Sequence, residues 1–304
     1  MDLVASHLPP TPVITSPLLG DRVLLKLETF QPTGSFKVRG ALVAVANAIA
    51  DDPGASVVTA SAGNHGLGVA YAAQALGTKA TIVVPENASA AKQAALERFD
   101  VELVRHGSSY DQAEEHALTL SELGARYISA YNDPHVISGQ GTIALELFDQ
   151  VPDLATIVAP VGGGGLLSGL ALAATRMPGV SVCGIEAAAS PVISVSVAAG
   201  HVEVVEVGLT LADGLAGNIE PGSVTVPIIA RLVSQVVLAD EEVIRDGVRY
   251  LASEHGLITE PSGAIGVGAI TNRLLHSDSG ALVIVVTGRN IATELFVDLI
   301  SAEP

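Results

Sequence analysis

An α/β architecture, with open parallel sheets and helices on both faces, is the fold class this sequence predicts. Three observations carry it. Continuous apolar runs of strand length recur at Ser56–Thr59, Ala80–Val84, Thr156–Val161, Val180–Ile185 and Ala281–Val286, the pattern of strands covered on both faces. Helical patterns separate these runs, and such strand–helix alternation implies a parallel sheet with right-handed crossovers. Finally, three runs empty into polar or glycine loops that then start helices: Val57–Gly66, Ile157–Gly165 and Val285–Asn290. In open α/β sheets ligands bind beyond the carboxyl ends of the strands, so these loops are candidates for one site.

The helices carry their own signals. Ser109-x-x-Gln112 reads as a capping box, with Ala113, Ala117 and Leu120 on one stripe and Gly124 as the stop. Asp240 opens another helix, with Val243, Ile244, Val248 and Leu251 on its inner face. No repeat or Ser/Gly-rich linker divides the 304 residues, which suffice for one large or two modest domains.

Composition narrows the function classes. Apolar residues at 49% and charged residues at 15% exclude a disordered chain. A net charge of −17, no basic stripe and no Trp argue against nucleic acid. No apolar run approaches the roughly 20 residues of a membrane span. The segment from Met1 has neither a basic stretch nor a hydrophobic signal core, and Cys183 is the lone cysteine, so a reducing cytoplasm is expected. A buried strand position suits that cysteine.

Gly162-Gly163-Gly164-Gly165 is the strongest anion-binding candidate. Four glycines expose consecutive backbone N–H groups with no Cβ in the way, and the helix from Leu166 adds its positive end. A tight turn without a ligand is the alternative. A nicotinamide site is another, because Glu186 lies about 20 residues on, but the glycines miss the G-x-G-x-x-G register. A non-catalytic phosphate-binding protein would use the same loops. Lys37, in Pro32-Thr33-Gly34-Ser35-Phe36-Lys37-Val38-Arg39-Gly40, reads by itself as a solvated charge. Its place between a turn and an apolar helix would partly desolvate the amine, which favours attack on carbonyls.

Four motifs stand in one order: Ser35-Phe36-Lys37-Val38-Arg39-Gly40-Ala41, Ser61-Ala62-Gly63-Asn64-His65-Gly66, Gly139-Gln140-Gly141-Thr142-Ile143-Ala144-Leu145-Glu146, and the tetraglycine loop. Together they resemble the threonine/serine dehydratase and serine racemase family of fold-type II pyridoxal-phosphate enzymes, from about Leu25 to Asn290. The resemblance implies a two-domain, tryptophan synthase beta-like fold with the cofactor, pyridoxal 5'-phosphate, in the cleft between domains. The large cofactor-binding domain would be 1–49 with 131–304, and the small domain 50–130. Lys37 would carry the cofactor and later remove the substrate's α-proton, with Phe36 beside the ring. Asn64 would bond the phenolic oxygen, and Gly162, Gly163, Gly164, Gly165 and Leu166 the phosphate. Ser61, Ala62, Gly63 and His65 would receive the substrate. Thr287 would face the pyridine nitrogen, where a neutral hydroxyl leaves the ring a weaker electron sink and suits elimination over transamination. Glu260 would lie on the pyridine side, with helix capping as its alternative role.

The departures are informative. Ala62 stands where racemases of this family place a second base, a serine. That favours dehydration of a β-hydroxy amino acid such as threonine or serine over racemisation; 3-hydroxyaspartate is a further substrate candidate. Glu186 matches one of the cation ligands of racemase-like members, but Val192 stands at the other, so no metal site is expected. Arg289 replaces a small residue, and either faces solvent or pairs with an anionic substrate group. A small amino-acid substrate and a homodimer complete the expectation, with no C-terminal regulatory domain.

Overall fold

A computed structural model describes residues 2–276 and 280–301. The strands are β1 (Val13–Thr15), β2 (Val23–Leu27), β3 (Val57–Ala60), β4 (Ala80–Val84), β5 (Glu102–Arg105), β6 (Arg126–Tyr127), β7 (Leu154–Pro160), β8 (Ser181–Ala187), β9 (Gln235–Ala239) and β10 (Ala281–Val286). The helices are α1 (Asp2–His7), α2 (Lys37–Asp51), α3 (Asn64–Leu76), α4 (Ala90–Leu96), α5 (Tyr110–Glu122), α6 (Pro134–Gln150), α7 (Gly165–Ala174), α8 (Val192–Ala199), α9 (Thr225–Leu232), α10 (Glu241–His255), α11 (Pro261–Thr271) and α12 (Thr293–Ser301).

The chain divides into two compact units, one of residues 1–9 and 31–140, the other of 10–30 and 141–304. The first unit holds a four-stranded sheet of order β5-β4-β3-β6, parallel throughout. Val38, Ala41, Leu42 and Val45 of α2 share one core with Val69, Ala70 and Ala73 of α3 and with Ile82. Half of the capping box forms as read: the Ser109 side chain accepts from the Gln112 N–H, whereas Gln112 Oε1 accepts from the N–H and hydroxyl of Ser108 instead of the Ser109 N–H; Ala113 and Ala117 are buried.

The second unit holds a six-stranded sheet of order β1-β2-β10-β7-β8-β9, parallel except for β1 on β2. Every residue of β10 is buried, between β2 and β7. Against this centre packs α11, which is apolar all round and buried from Pro261 to Ile270, as a helix enclosed by a core must be. Asp240 caps α10 through the Val243 N–H, and Val243, Ile244, Val248 and Leu251 form its inner face. Cys183 is free and buried on β8. No helix of the described residues is long and apolar enough to cross a membrane.

Candidate active site

In the first unit the loops after β3 and before α2 bring several sequence-singled residues together. Lys37 opens α2, with Phe36 at the preceding position. Its Nζ donates to the Ala130 carbonyl at 2.9 Å and lies 5.3 Å from the centre of the Phe36 ring. The amine thus sits half-buried at the positive end of a helix. Gly68 allows this placement: a Cβ there would stand 3.1 Å from the Lys37 carbonyl carbon and 3.2 Å from its oxygen. The small residue lets α3 run against the first turn of α2.

The Ser61–Gly66 loop crosses from β3 into α3. Ser61 Oγ accepts from the Gly63 N–H at 3.2 Å, and Asn64 is the first helical residue. Ser61, Ala62, Gly63 and Asn64 are all half-buried. His65 differs, being 3% exposed. Its Nε2 lies 3.0 Å from the Ile128 carbonyl, which can only accept, so Nε2 carries the proton and Nδ1 is a bare acceptor. That Nδ1 is buried with no hydrogen-bond partner among the described residues. Burial, reinforced by the charge of Lys37 and opposed by the bond to Ile128, lowers the imidazole pKa to about 3. The side chain is therefore a neutral tether between the loop and the segment after β6, and any part it has in receiving a carboxylate comes without a cationic charge.

In the second unit the tetraglycine loop follows β7 and enters α7. Gly164 has φ +87° and closes the turn in the left-handed region that favours glycine. A Cβ there would meet Thr225 Cβ and Ile229 Cδ1 at 2.8 Å. Thr225 also fixes the loop from outside, its Oγ1 donating to the Gly163 carbonyl at 2.9 Å. Gly162 and Gly163 are half-buried, whereas Gly164, Gly165 and Leu166 are buried. The first-turn N–H groups of α7 have no intrahelical acceptor, and the helix adds its positive end.

Thr287 follows β10 and is buried. The Glu260 N–H donates to the Gly288 carbonyl at 3.1 Å, which ties the start of α11 to the Thr287 loop. Glu260 stands at the N-cap position, yet its side chain makes no capping hydrogen bond; the structural alternative to a site role loses its main support. Arg289 is exposed. Glu186 is fully buried, its Oε1 accepting from the Ile193 N–H at 2.7 Å and its Oε2 from the Ser194 N–H at 3.0 Å and hydroxyl at 2.6 Å. Burial pushes this carboxyl pKa up while those bonds pull it back. Both oxygens are committed to the start of α8, and no group of three metal-ligating side chains occurs among the described residues.

These features fit pyridoxal phosphate. The glycine loop is a side-chain-free cradle at a helix start, of the kind that suits a phosphate. Lys37 offers an amine for the carbonyl carbon, and Thr287 a buried neutral hydroxyl for a ring nitrogen. Sequence reasoning missed Thr225, Ala130 and Ile128. Two of them act through backbone carbonyls, which no residue type advertises, and Thr225 lies 62 residues from the loop it supports.

The comparisons agree. Residues 4–288 match the family model described as pyridoxal-phosphate dependent enzyme. An L-threonine ammonia-lyase of Thermotoga maritima is 40% identical over 280 residues, covering 91% of this chain and 69% of that protein. The structure of maize serine racemase matches 99% of this chain and 94% of its own at TM-score 0.89 and 33% identity. Threonine deaminase isoform 2 of Solanum lycopersicum matches 98% and 84% at TM-score 0.92 and 31% identity. The chain belongs to the fold-type II pyridoxal-phosphate dependent enzymes, in the family that unites threonine/serine dehydratases with serine racemases.

Proposed function

We propose that this enzyme is a lyase that eliminates water from a small β-hydroxy amino acid, L-threonine or L-serine, giving a 2-oxo acid and ammonia. The observation that carries the reading is the amine of Lys37, presented on the first turn of α2 and held at 2.9 Å by the Ala130 carbonyl. When bound, pyridoxal phosphate supplies an electrophilic carbon for amines and an electron sink for the bond broken at Cα. Lys37 Nζ is assigned the covalent hold on the cofactor and, once released, the α-proton. The N–H groups of Gly162–Leu166 would bind the phosphate, and Asn64 the phenolic oxygen. The backbone and hydroxyl of the Ser61–His65 loop orient the substrate carboxylate. Thr287 would offer the ring nitrogen a hydroxyl that cannot hold it protonated as a carboxylate would, and Glu260 would lie on the same side.

Elimination is favoured over racemisation by two features of one loop. Ala62 has no proton to give, and the Nε2 proton of neutral His65 is engaged by Ile128. Neither supplies an acid for the opposite face of Cα. A homodimer, a cytoplasmic setting and 50–130 as the small domain belong to the same proposal; a buried free Cys183 agrees with a reducing compartment. Release of 2-oxo acid from a panel of L-threonine, L-serine and 3-hydroxyaspartate tests the reading. Turnover of threonine or serine is expected; D-serine forming faster than 2-oxo acid would replace dehydration with racemisation.

A further inference from the structure

A cavity of about 520 Å³ opens in the second unit, at the amino ends of β2 and β10. Its volume lies in the range of small-molecule sites. The glycine loop and Thr287 lie at the opposite, carboxyl ends of β7 and β10. The six residues of β10 separate the two ends by about 17 Å, so this is not the candidate active site.

The floor of the cavity is aliphatic, with Ile270, Leu275 and Leu282 largely buried and Val23 beside them. Its rim carries Arg22 and Arg273. Neither guanidinium has a hydrogen-bonding or ion-pair partner among the described residues, in a chain with 32 acidic side chains against 15 Lys and Arg. Two arginines against the one carboxylate of Asp21 among the described lining residues leave the rim with a net positive charge facing an apolar floor.

Arg273 is also conformationally unusual. It is the only non-glycine residue with positive φ among the described residues, at 58°. It ends α11 in a Schellman arrangement, with Arg273 N–H donating to Ile270 O at 3.0 Å and Leu274 N–H to Ala269 O at 2.8 Å. In the same chain α3, α8 and α10 each end on a left-handed glycine, at Gly77, Gly200 and Gly256. At α11 the chain places an arginine on the cavity rim, at the backbone conformation the other three helices give to glycine.

We infer that this cavity is a binding site for a small aliphatic carboxylate, its anionic end held by Arg22 and Arg273 and its hydrocarbon by the floor. Asp21 on the same rim sets a limit, since its carboxylate repels a second negative charge and favours a monoanion.

Isovalerate titrated calorimetrically into the cofactor-loaded enzyme tests this. Saturable binding is expected, roughly tenfold tighter than acetate because the extra methyl and methylene groups leave water. Arg22→Gln and Arg273→Gly should each weaken it at least about tenfold while leaving kcat and KM for the amino acid unchanged. Arg273→Gly should also raise Tm by about 2 °C, because glycine occupies left-handed backbone freely. Binding unchanged in both variants, no saturable binding at all, or sulfate bound as tightly as isovalerate would each overturn the assignment. A fall in Tm of Arg273→Gly would show that the arginine is there for the fold.

Discussion

Lys37 and His65 sit within one unit and take opposite parts. Lys37 keeps its amine half-buried, whereas His65 is closed off, neutral and tied to Ile128. Replacing Lys37 by Ala should lower turnover on the order of 10³-fold and abolish the visible absorbance of the cofactor-loaded protein, with far-UV circular dichroism unchanged. His65 has a consequence for acid stability. Its pKa is lowered to about 3 in the fold against 6.5 in the open chain. Between those values the unfolded chain binds a proton that the folded one does not, so stability rises with pH across that window and is lost as pH falls. The loss is at most about 1.4 kcal/mol per pH unit for one group. His65→Gln, which keeps a donor for Ile128, should flatten that slope between pH 6 and 4 in urea titrations; an unchanged slope would mean that the imidazole is not buried neutral.

At the scale of elements, close approach decides where the candidate site's groups stand. The first turn of α2 lies against Gly68 of α3. Gly68→Ala should displace Lys37 by a few tenths of an ångström and lower kcat by roughly tenfold, with a smaller change in KM. Gly164→Ala adds both a left-handed strain and a clash with Thr225. It should cost about 2–4 kcal/mol of stability and weaken retention of the cofactor, measured by dialysis. Glu186, which matches one cation ligand of racemase-like family members, is bonded to the start of a helix in this fold. Both its oxygens cap α8. Glu186→Ala should cost about 1–3 kcal/mol, whereas a chelator should leave activity and Tm of the parent enzyme unchanged. A large loss restored by magnesium would contradict this reading.

For the whole molecule, the strands easiest to read were those that the fold covers on both faces. Ala80–Val84 and Ala281–Val286 form with the boundaries their apolar runs suggest, and the runs for β3, β7 and β8 shift by one or two residues. β2 escaped because Lys26 interrupts it. That lysine is fully buried, its charge met by Glu146, 120 residues away, and its remaining donors by Thr11 O and Gln150. Such compensation is invisible in a local window. The short or edge strands β1, β5, β6 and β9 bury too little of themselves to show a pattern. The candidate site was legible where chemistry needs a residue type, as at Lys37, Asn64 and the glycines. It was illegible where the contribution is a backbone carbonyl, as at Ala130 and Ile128, or a distant side chain such as Thr225.

Lys37, of all the lysines in the chain, is the one proposed to bear the cofactor. Borohydride reduction of the cofactor-loaded enzyme, followed by proteolysis and mass spectrometry, tests it directly. A pyridoxyl phosphate group is expected on the peptide containing Ser35-Phe36-Lys37 and on no other. A modified peptide carrying a different lysine, or none at all from a protein saturated with pyridoxal phosphate, would contradict it.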